Sequence, residues 1–159
     1  MSGLVHTLHA VLAGVWLGGV VFTTFVVSPA LKAMKWGEAE RIGVRAGIGR
    51  RYARVGSLNL ALLAAFALLD GILGGFEILL YLEYALIPAL FGLVAAHGAF
   101  FGRRIAGLAK AEAGAGSAEE AASLAGRRRR LQRLSLKVSW VNLAVSVAVM
   151  VLVVNVRGA

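Results

Sequence analysis

Hydrophobic residues form four long runs along the chain, separated by one short link and two strongly basic segments. The runs cover about residues 4–27, 55–73, 77–101 and 138–156. A helix rises 1.5 Å per residue, so a run of roughly 20 apolar residues is long enough to cross the hydrocarbon core of a bilayer. The pattern therefore predicts an all-α integral membrane four-helix bundle that occupies residues 1–159 as a single transmembrane domain.

The distribution of Lys and Arg predicts how this bundle is oriented. Seven basic residues lie in segment 28–54 and nine in segment 102–137, whereas only Arg157 follows the last run. Because positive residues accumulate on the cytoplasmic side of membrane proteins, both basic segments are expected in the cytoplasm. The N and C termini are then outside, and residues 74–76 form a tight external turn.

Local patterns predict further structure in the two basic segments. Residues 30–53 mix apolar and basic side chains in a way typical of an amphipathic helix at the membrane interface. Ser117 and Glu120 have the spacing of a capping box, which predicts a helix that continues into the fourth run. Residues 110–116 are rich in Ala and Gly and are expected to form a flexible link. Anionic lipid is the expected partner of both basic segments. One run of arginines either contacts lipid head groups or, in the interpretation that we favour, acts only as a positive-inside anchor: Arg127, Arg128, Arg129 and Arg130.

The composition excludes several classes of protein. The chain is 59% hydrophobic, and it contains 20 glycines and no cysteine. Too few polar residues remain to cover a soluble globular domain, and the hydrophobicity equally excludes a disordered chain. The formal net charge of +9 would suggest nucleic acid in a soluble protein. Here the basic segments account for that charge, so the partner is the bilayer rather than nucleic acid.

Six ionisable residues stand within or beside the apolar runs, where charge is costly and often functional: His6, His9, Asp70, Glu77, Glu83 and His97. His9, Asp70 and Glu83 belong to three different runs, and counting along each helix puts all three roughly 7–9 Å below the outer surface. His6 precedes His9 by three residues and therefore lies on the same helix face. The sequence predicts one cluster of these side chains in the outer leaflet.

Imidazole and carboxylate groups together suit a divalent metal ion such as Zn²⁺ or Cu²⁺, and the same set suits a proton relay. A second interpretation is a haem or porphyrin redox protein with His9 as a single axial ligand. His97 lies near the opposite surface, so the two histidines are badly placed to hold one haem between them. A third interpretation is a membrane scaffold without chemistry, in which these groups only satisfy each other. The motifs of nucleotide-binding enzymes and zinc peptidases do not occur in the sequence.

Small and amide side chains predict how the helices pack. Three of the apolar runs contain or border a G-x-x-x-G pair, the first at Gly14 and Gly18, and such pairs let helix backbones approach closely. We favour packing within the bundle, with a homo-oligomer or a partner membrane protein as the alternative. Asn59 and Asn142 are expected to hydrogen-bond to each other between the second and fourth runs.

The first run carries a resemblance to known proteins. It contains Leu8-His9, Trp16-Leu17-Gly18-Gly19 and Ser28-Pro29-Ala30-Leu31, and Arg51-Tyr52-Ala53-Arg54 follows in the first basic segment. This resembles an uncharacterised family of bacterial four-helix membrane proteins that is loosely similar to the membrane domain of CopD-type copper-resistance proteins. The spacing from His9 to Trp16 also resembles protoporphyrinogen oxidases of the HemJ type, more weakly.

The CopD resemblance implies a multi-pass protein of the bacterial inner membrane that handles copper or another metal ion, with His9 at its site. The HemJ resemblance implies haem at the same residue. We therefore expect a small inner-membrane protein that handles metal ions or protons through His6, His9, Asp70 and Glu83.

Overall fold

Six α-helices and two short π-helical segments make up the structure, a computed structural model that describes residues 2–156 without the side chains of Ser2 and Ala39. The α-helices are α1 (Ser2–Phe22), α2 (Ser28–Ala33), α3 (Glu38–Gly74), α4 (Ile78–Ala95), α5 (Arg103–Ala113) and α6 (Ala118–Asn155). The π-helical segment Thr23–Val27 joins α1 to α2, and Ala96–Gly102 joins α4 to α5. The described chain therefore consists of four long, nearly continuous helical rods. Arg157, the single basic residue expected on the outer side, lies outside the described residues.

All four rods are long and apolar enough to span a membrane. Their outward faces carry large hydrophobic side chains, with Leu4 68%, Val55 70% and Ile78 72% exposed. A soluble protein rarely leaves such extensive apolar surface in water, whereas lipid covers it without cost. These features confirm the predicted all-helical, multi-pass membrane protein.

The helices extend further than the hydrophobic runs that predicted them. The predicted interfacial helix over residues 30–53 is wrong as a separate element, because Glu38–Gly74 is one helix of 37 residues. No proline interrupts this stretch, and Glu38 and Glu40 in the first turn favour a helix start there. The predicted flexible link is also shorter than expected, since α5 continues to Ala113.

Two local predictions at helix ends are confirmed. The backbone N–H of Glu120 donates to Ser117 Oγ at 3.2 Å, and α6 then runs without interruption into the fourth apolar run. The turn between α3 and α4 is tight, as predicted, and contains Gly75 at φ +96°. Glycine takes this backbone conformation without the strain that a side chain would add.

The bundle core lies where α1 and α4 each pack against both α3 and α6. Its buried residues come from all four of these helices and are mostly aliphatic: Ala13, Trp16, Val20, Leu60, Leu63, Ala67, Ile87, Leu90, Val149 and Val153. They alternate with exposed residues at helical spacing, so each helix has one face in the core and one toward lipid.

Hydrogen bonds between helices differ from the predicted pair of asparagines. Asn59 Nδ2 donates to the carbonyl of Leu12 at 3.1 Å, which joins α3 to α1. The predicted bond to Asn142 is therefore wrong. The polar contact with α6 comes instead from Trp16, whose Nε1 donates to Ser146 Oγ at 2.9 Å.

Candidate functional site

Three helices bring the predicted ionisable residues together at one end of the bundle. His9 comes from α1, Asp70 from α3 and Glu83 from α4, and their exposed fractions are 0%, 2% and 0%. Each of them takes a core-facing position in its helix, as Ala13, Ala67 and Leu80 do one turn away. The sequence-based depth estimate is therefore correct in bringing these three side chains to a common level.

The four side chains form one continuous chain of polar contacts. His6 Nδ1 lies 2.8 Å from Asp70 Oδ2, and His9 Nδ1 lies 3.5 Å from the same oxygen. On the other edge of its ring, His9 Nε2 lies 2.7 Å from Glu83 Oε1. The order is therefore imidazole, carboxylate, imidazole, carboxylate, with His9 between the two acidic groups.

The contact with Glu83 decides which nitrogen carries the hydrogen in a neutral His9 ring. A neutral imidazole carries one N–H, and the short distance to a carboxylate oxygen places that hydrogen on Nε2. Nδ1 then presents a lone pair toward Asp70, where it is buried without a hydrogen-bond partner. In this neutral tautomer, two acceptor atoms face each other in a water-poor interior, an arrangement that a shared cation, either a proton or a metal ion, would stabilise.

His6 occupies the outer edge of the cluster. Its side chain remains 21% exposed, whereas the side chains of His9 and Asp70 are almost completely covered. An N–H on His6 Nδ1 donates to Asp70 in this arrangement. The alternative tautomer, with the hydrogen on Nε2, would free Nδ1 as a second nitrogen donor beside Asp70.

Three of the four residues meet the spacing of a metal site. One ligand atom each from His6, His9 and Asp70 lie within 4.8 Å of one another. In a tetrahedral zinc site with bonds of ~2.1 Å, ligand atoms are roughly 3.4 Å apart. The distances from His6 Nδ1 and His9 Nδ1 to Asp70 Oδ2, 2.8 and 3.5 Å, lie on either side of this value.

Glu83 differs from its predicted position as an inner ligand. It contacts the ring nitrogen of His9 that faces away from Asp70, on the far side from the other donors. Metal-binding histidines commonly donate their second N–H to such a carboxylate, which fixes the tautomer and orientation of the ring. Glu83 is therefore placed to orient His9.

The same contacts disfavour haem at His9. An axial ligand needs a free imidazole nitrogen directed at an open face of the porphyrin. His9 has Nε2 bonded to Glu83 and Nδ1 directed at Asp70, and its ring is completely buried. Haem ligation would require breaking the bond to Glu83 and separating α1 from its neighbours.

The four arginines of the run 127–130 differ in exposure, and one of them is buried. Arg128 is 7% exposed, and its Nε donates to Glu112 Oε2 at 2.8 Å, with a further contact to Glu38. This guanidinium joins α6 to the start of α3 and to the end of α5, so it is not available to a head group. Arg127, Arg129 and Arg130 are exposed.

Sequence reasoning missed one residue beside the cluster. Tyr84 follows Glu83, and its hydroxyl donates to the carbonyl of Ala67 at 2.9 Å, one helical turn from Asp70. This bond ties α4 to α3 next to the two carboxylates. A tyrosine within an apolar run was the available signal, because a buried hydroxyl requires a partner.

Comparison of the chain with protein families, with curated proteins and with solved structures finds no match.

Proposed function

We propose that this protein binds a divalent transition-metal ion at His6, His9 and Asp70 and handles it at the outer leaflet of a bacterial inner membrane. The observation that carries the proposal is the buried Nδ1 of His9, which has no hydrogen-bond partner and faces Asp70 Oδ2 at 3.5 Å. A metal ion between these atoms would bond to both lone pairs and offset the charge of the buried carboxylate.

The donor set favours a particular class of metal. Two imidazole nitrogens and one carboxylate oxygen suit Zn²⁺ and Cu²⁺, whereas Mg²⁺ and Ca²⁺ prefer sites made of oxygen alone. The chain contains no cysteine, so thiolate sites for Cu⁺ are excluded. Three protein ligands also leave a coordination position for water or for a donor on a partner molecule.

The two histidines differ in exposure, and we expect them to contact the ion at different stages of binding. His6 is the most exposed member, so an arriving ion would meet it before the fully buried His9. Below the cluster, the aliphatic core formed by residues such as Leu63, Ile87 and Val149 would oppose further movement of a charge. The described arrangement accordingly suits loading of the ion from the outer side.

Metal binding to the purified chain tests this proposal. Calorimetric titration in detergent with Zn²⁺ or Cu²⁺ is expected to give one site per chain. His9→Gln and Asp70→Asn should abolish that site, while His97→Gln is the matched control, because it removes a histidine outside the cluster. Absence of binding, or equal loss in the His97 variant, would overturn the proposal. Circular dichroism of each variant separates loss of binding from loss of fold.

Proton transfer is the second candidate, and the unbroken order of His6, Asp70, His9 and Glu83 favours it. Alternating imidazoles and carboxylates can pass a proton from one group to the next. This candidate predicts proton flux across vesicle membranes without any metal, and a stronger effect of Glu83→Gln than of His97→Gln. Stoichiometric metal binding without metal-free proton flux would favour the first candidate. If neither activity is found, the cluster serves only to hold α1, α3 and α4 together.

A further inference from the structure

A second region of the molecule, independent of the polar cluster, has the features of a ligand site. It lies on the exposed face of α3, where the basic part of the helix meets its apolar part. Arg50, Arg51 and Arg54 line a shallow groove there, together with Gly47 and Ile48. Three cations within five residues produce a strongly positive local potential.

These arginines lack the carboxylate partners that Arg41 and Arg128 have. Arg41 pairs with Glu38, and Arg128 pairs with both Glu38 and Glu112. Within residues 2–156, Arg50, Arg51 and Arg54 make no hydrogen bond or ion pair. All three are exposed. Their charges are therefore available to an anion from outside the chain.

The apolar surface next to the groove indicates what kind of anion fits. Val55, Leu58 and Leu62 are 70%, 63% and 41% exposed, and their spacing places them on the same helix face as Arg51. A ligand on this face would contact guanidinium groups at one end and, next along the helix, the aliphatic side chains. An anionic phospholipid has a charged and an aliphatic part to match, whereas a free phosphate would contact only the arginines.

We propose that Arg50, Arg51 and Arg54 bind the phosphate group of an anionic phospholipid whose acyl chains lie along Val55, Leu58 and Leu62. Guanidinium groups recognise phosphate through paired N–H donors, so the contact has directional as well as electrostatic character. The sequence suggested anionic lipid for both basic segments and named the arginine run of α6, whereas this site lies on three arginines of α3.

The exposed arginines of α6 lie farther from the apolar part of their helix than the arginines of α3 do. Arg127, Arg129 and Arg130 precede Val138, the start of the fourth apolar run, by 8–11 residues, which is roughly 12–17 Å along a helix. Arg54 is adjacent to Val55 in the chain, at the start of the second run. A lipid phosphate can reach the arginines of α3 while its acyl chains stay on the apolar stripe.

Spin-labelled phosphatidylglycerol and phosphatidylcholine in vesicles containing the intact chain provide the test. The wild-type protein should prefer phosphatidylglycerol in its motionally restricted lipid fraction. The triple variant Arg50→Gln, Arg51→Gln, Arg54→Gln should lose on the order of 10- to 100-fold of that preference. The triple Lys variant should keep part of it, and the control Arg127→Gln, Arg129→Gln, Arg130→Gln should keep nearly all.

Three results would overturn the proposal. The first is an unchanged preference in the α3 Gln variant, and the second is an equal loss in the α6 control, which would show a general effect of charge. The third is full displacement of phosphatidylglycerol by inorganic pyrophosphate, which would show a soluble phosphate ligand. If the triple Gln variant fails to fold, Arg51→Gln and Arg54→Gln measured singly should each reduce the preference, and no reduction in either would contradict the site.

Discussion

Nε2 of His9 lies 2.7 Å from Oε1 of Glu83 between α1 and α4, and both side chains are completely buried. The bond leaves the second nitrogen of the ring directed at Asp70 on α3. The contact between α1 and α4 thus determines which nitrogen of His9 faces the carboxylate on α3. The proposed metal site depends on this relationship, because it makes His9 Nδ1 an acceptor.

Glu83→Gln is expected to weaken metal binding without removing a ligand. The amide keeps the size of the side chain but loses the charge that favours an N–H on Nε2. Loss of such a supporting carboxylate typically costs about 10- to 100-fold in metal affinity. Titration with Zn²⁺ checks this, and an affinity equal to that of the wild type would show that Glu83 does not orient His9.

Gly71→Ala is expected to destabilise the hairpin of α3 and α4. A Cβ there would lie 2.6 Å from Phe76 and 2.8 Å from both Leu80 and Tyr84. All three neighbours would have to move, and overpacking of this kind costs about 1–3 kcal/mol. Thermal unfolding in detergent should show a lower Tm.

Gly92→Ala is the control for that experiment. A Cβ at Gly92 meets no atom within 4 Å, and alanine favours a helix more than glycine does. Its Tm should be unchanged or slightly higher than that of the wild type. Equal losses in the two variants would contradict the close approach of the two helices at Gly71.

The ion pairs of Glu38 should make stability depend on acid pH. Burial acts to raise the pKa of Glu38, but the hydrogen bond from Gln132 and the charges of Arg128 and Arg41 outweigh it, so its pKa lies below the ordinary 4.5. A lowered pKa means that the stabilisation is present above pH 4.5 and is lost as the pH falls through the folded-state value.

Thermal unfolding of the wild type and Glu38→Gln at a series of pH values checks this dependence. The wild type should be the more stable of the two at neutral pH, and the difference should shrink below about pH 4.5. Glu40→Gln is a suitable control, because Glu40 is only two residues from Glu38 and forms no ion pair with Arg128. A difference that stays constant from neutral to acid pH would contradict the role of the carboxylate.

The sequence predicted the four long helices and the common depth of His9, Asp70 and Glu83, because hydrophobic length and helical rise are local quantities. It did not predict the partner of Asn59, since several groups lie at a similar depth and only the rotation of each helix selects among them. For the same reason it could not show that Glu83 contacts the far edge of the His9 ring. The continuity of α3 was missed because the arginines and glycines of residues 38–54 are also typical of an interfacial segment.

Electron paramagnetic resonance of bound Cu²⁺ identifies the ligands of the proposed site one by one. The method resolves the coupling of Cu²⁺ to each coordinated nitrogen, and a site at His6, His9 and Asp70 should give two imidazole nitrogens in the wild type. His6→Gln and His9→Gln should each remove one nitrogen or the whole site, whereas His97→Gln and Glu83→Gln should leave two. A spectrum without imidazole coupling, or one that only His97→Gln changes, would contradict a metal site at His6, His9 and Asp70.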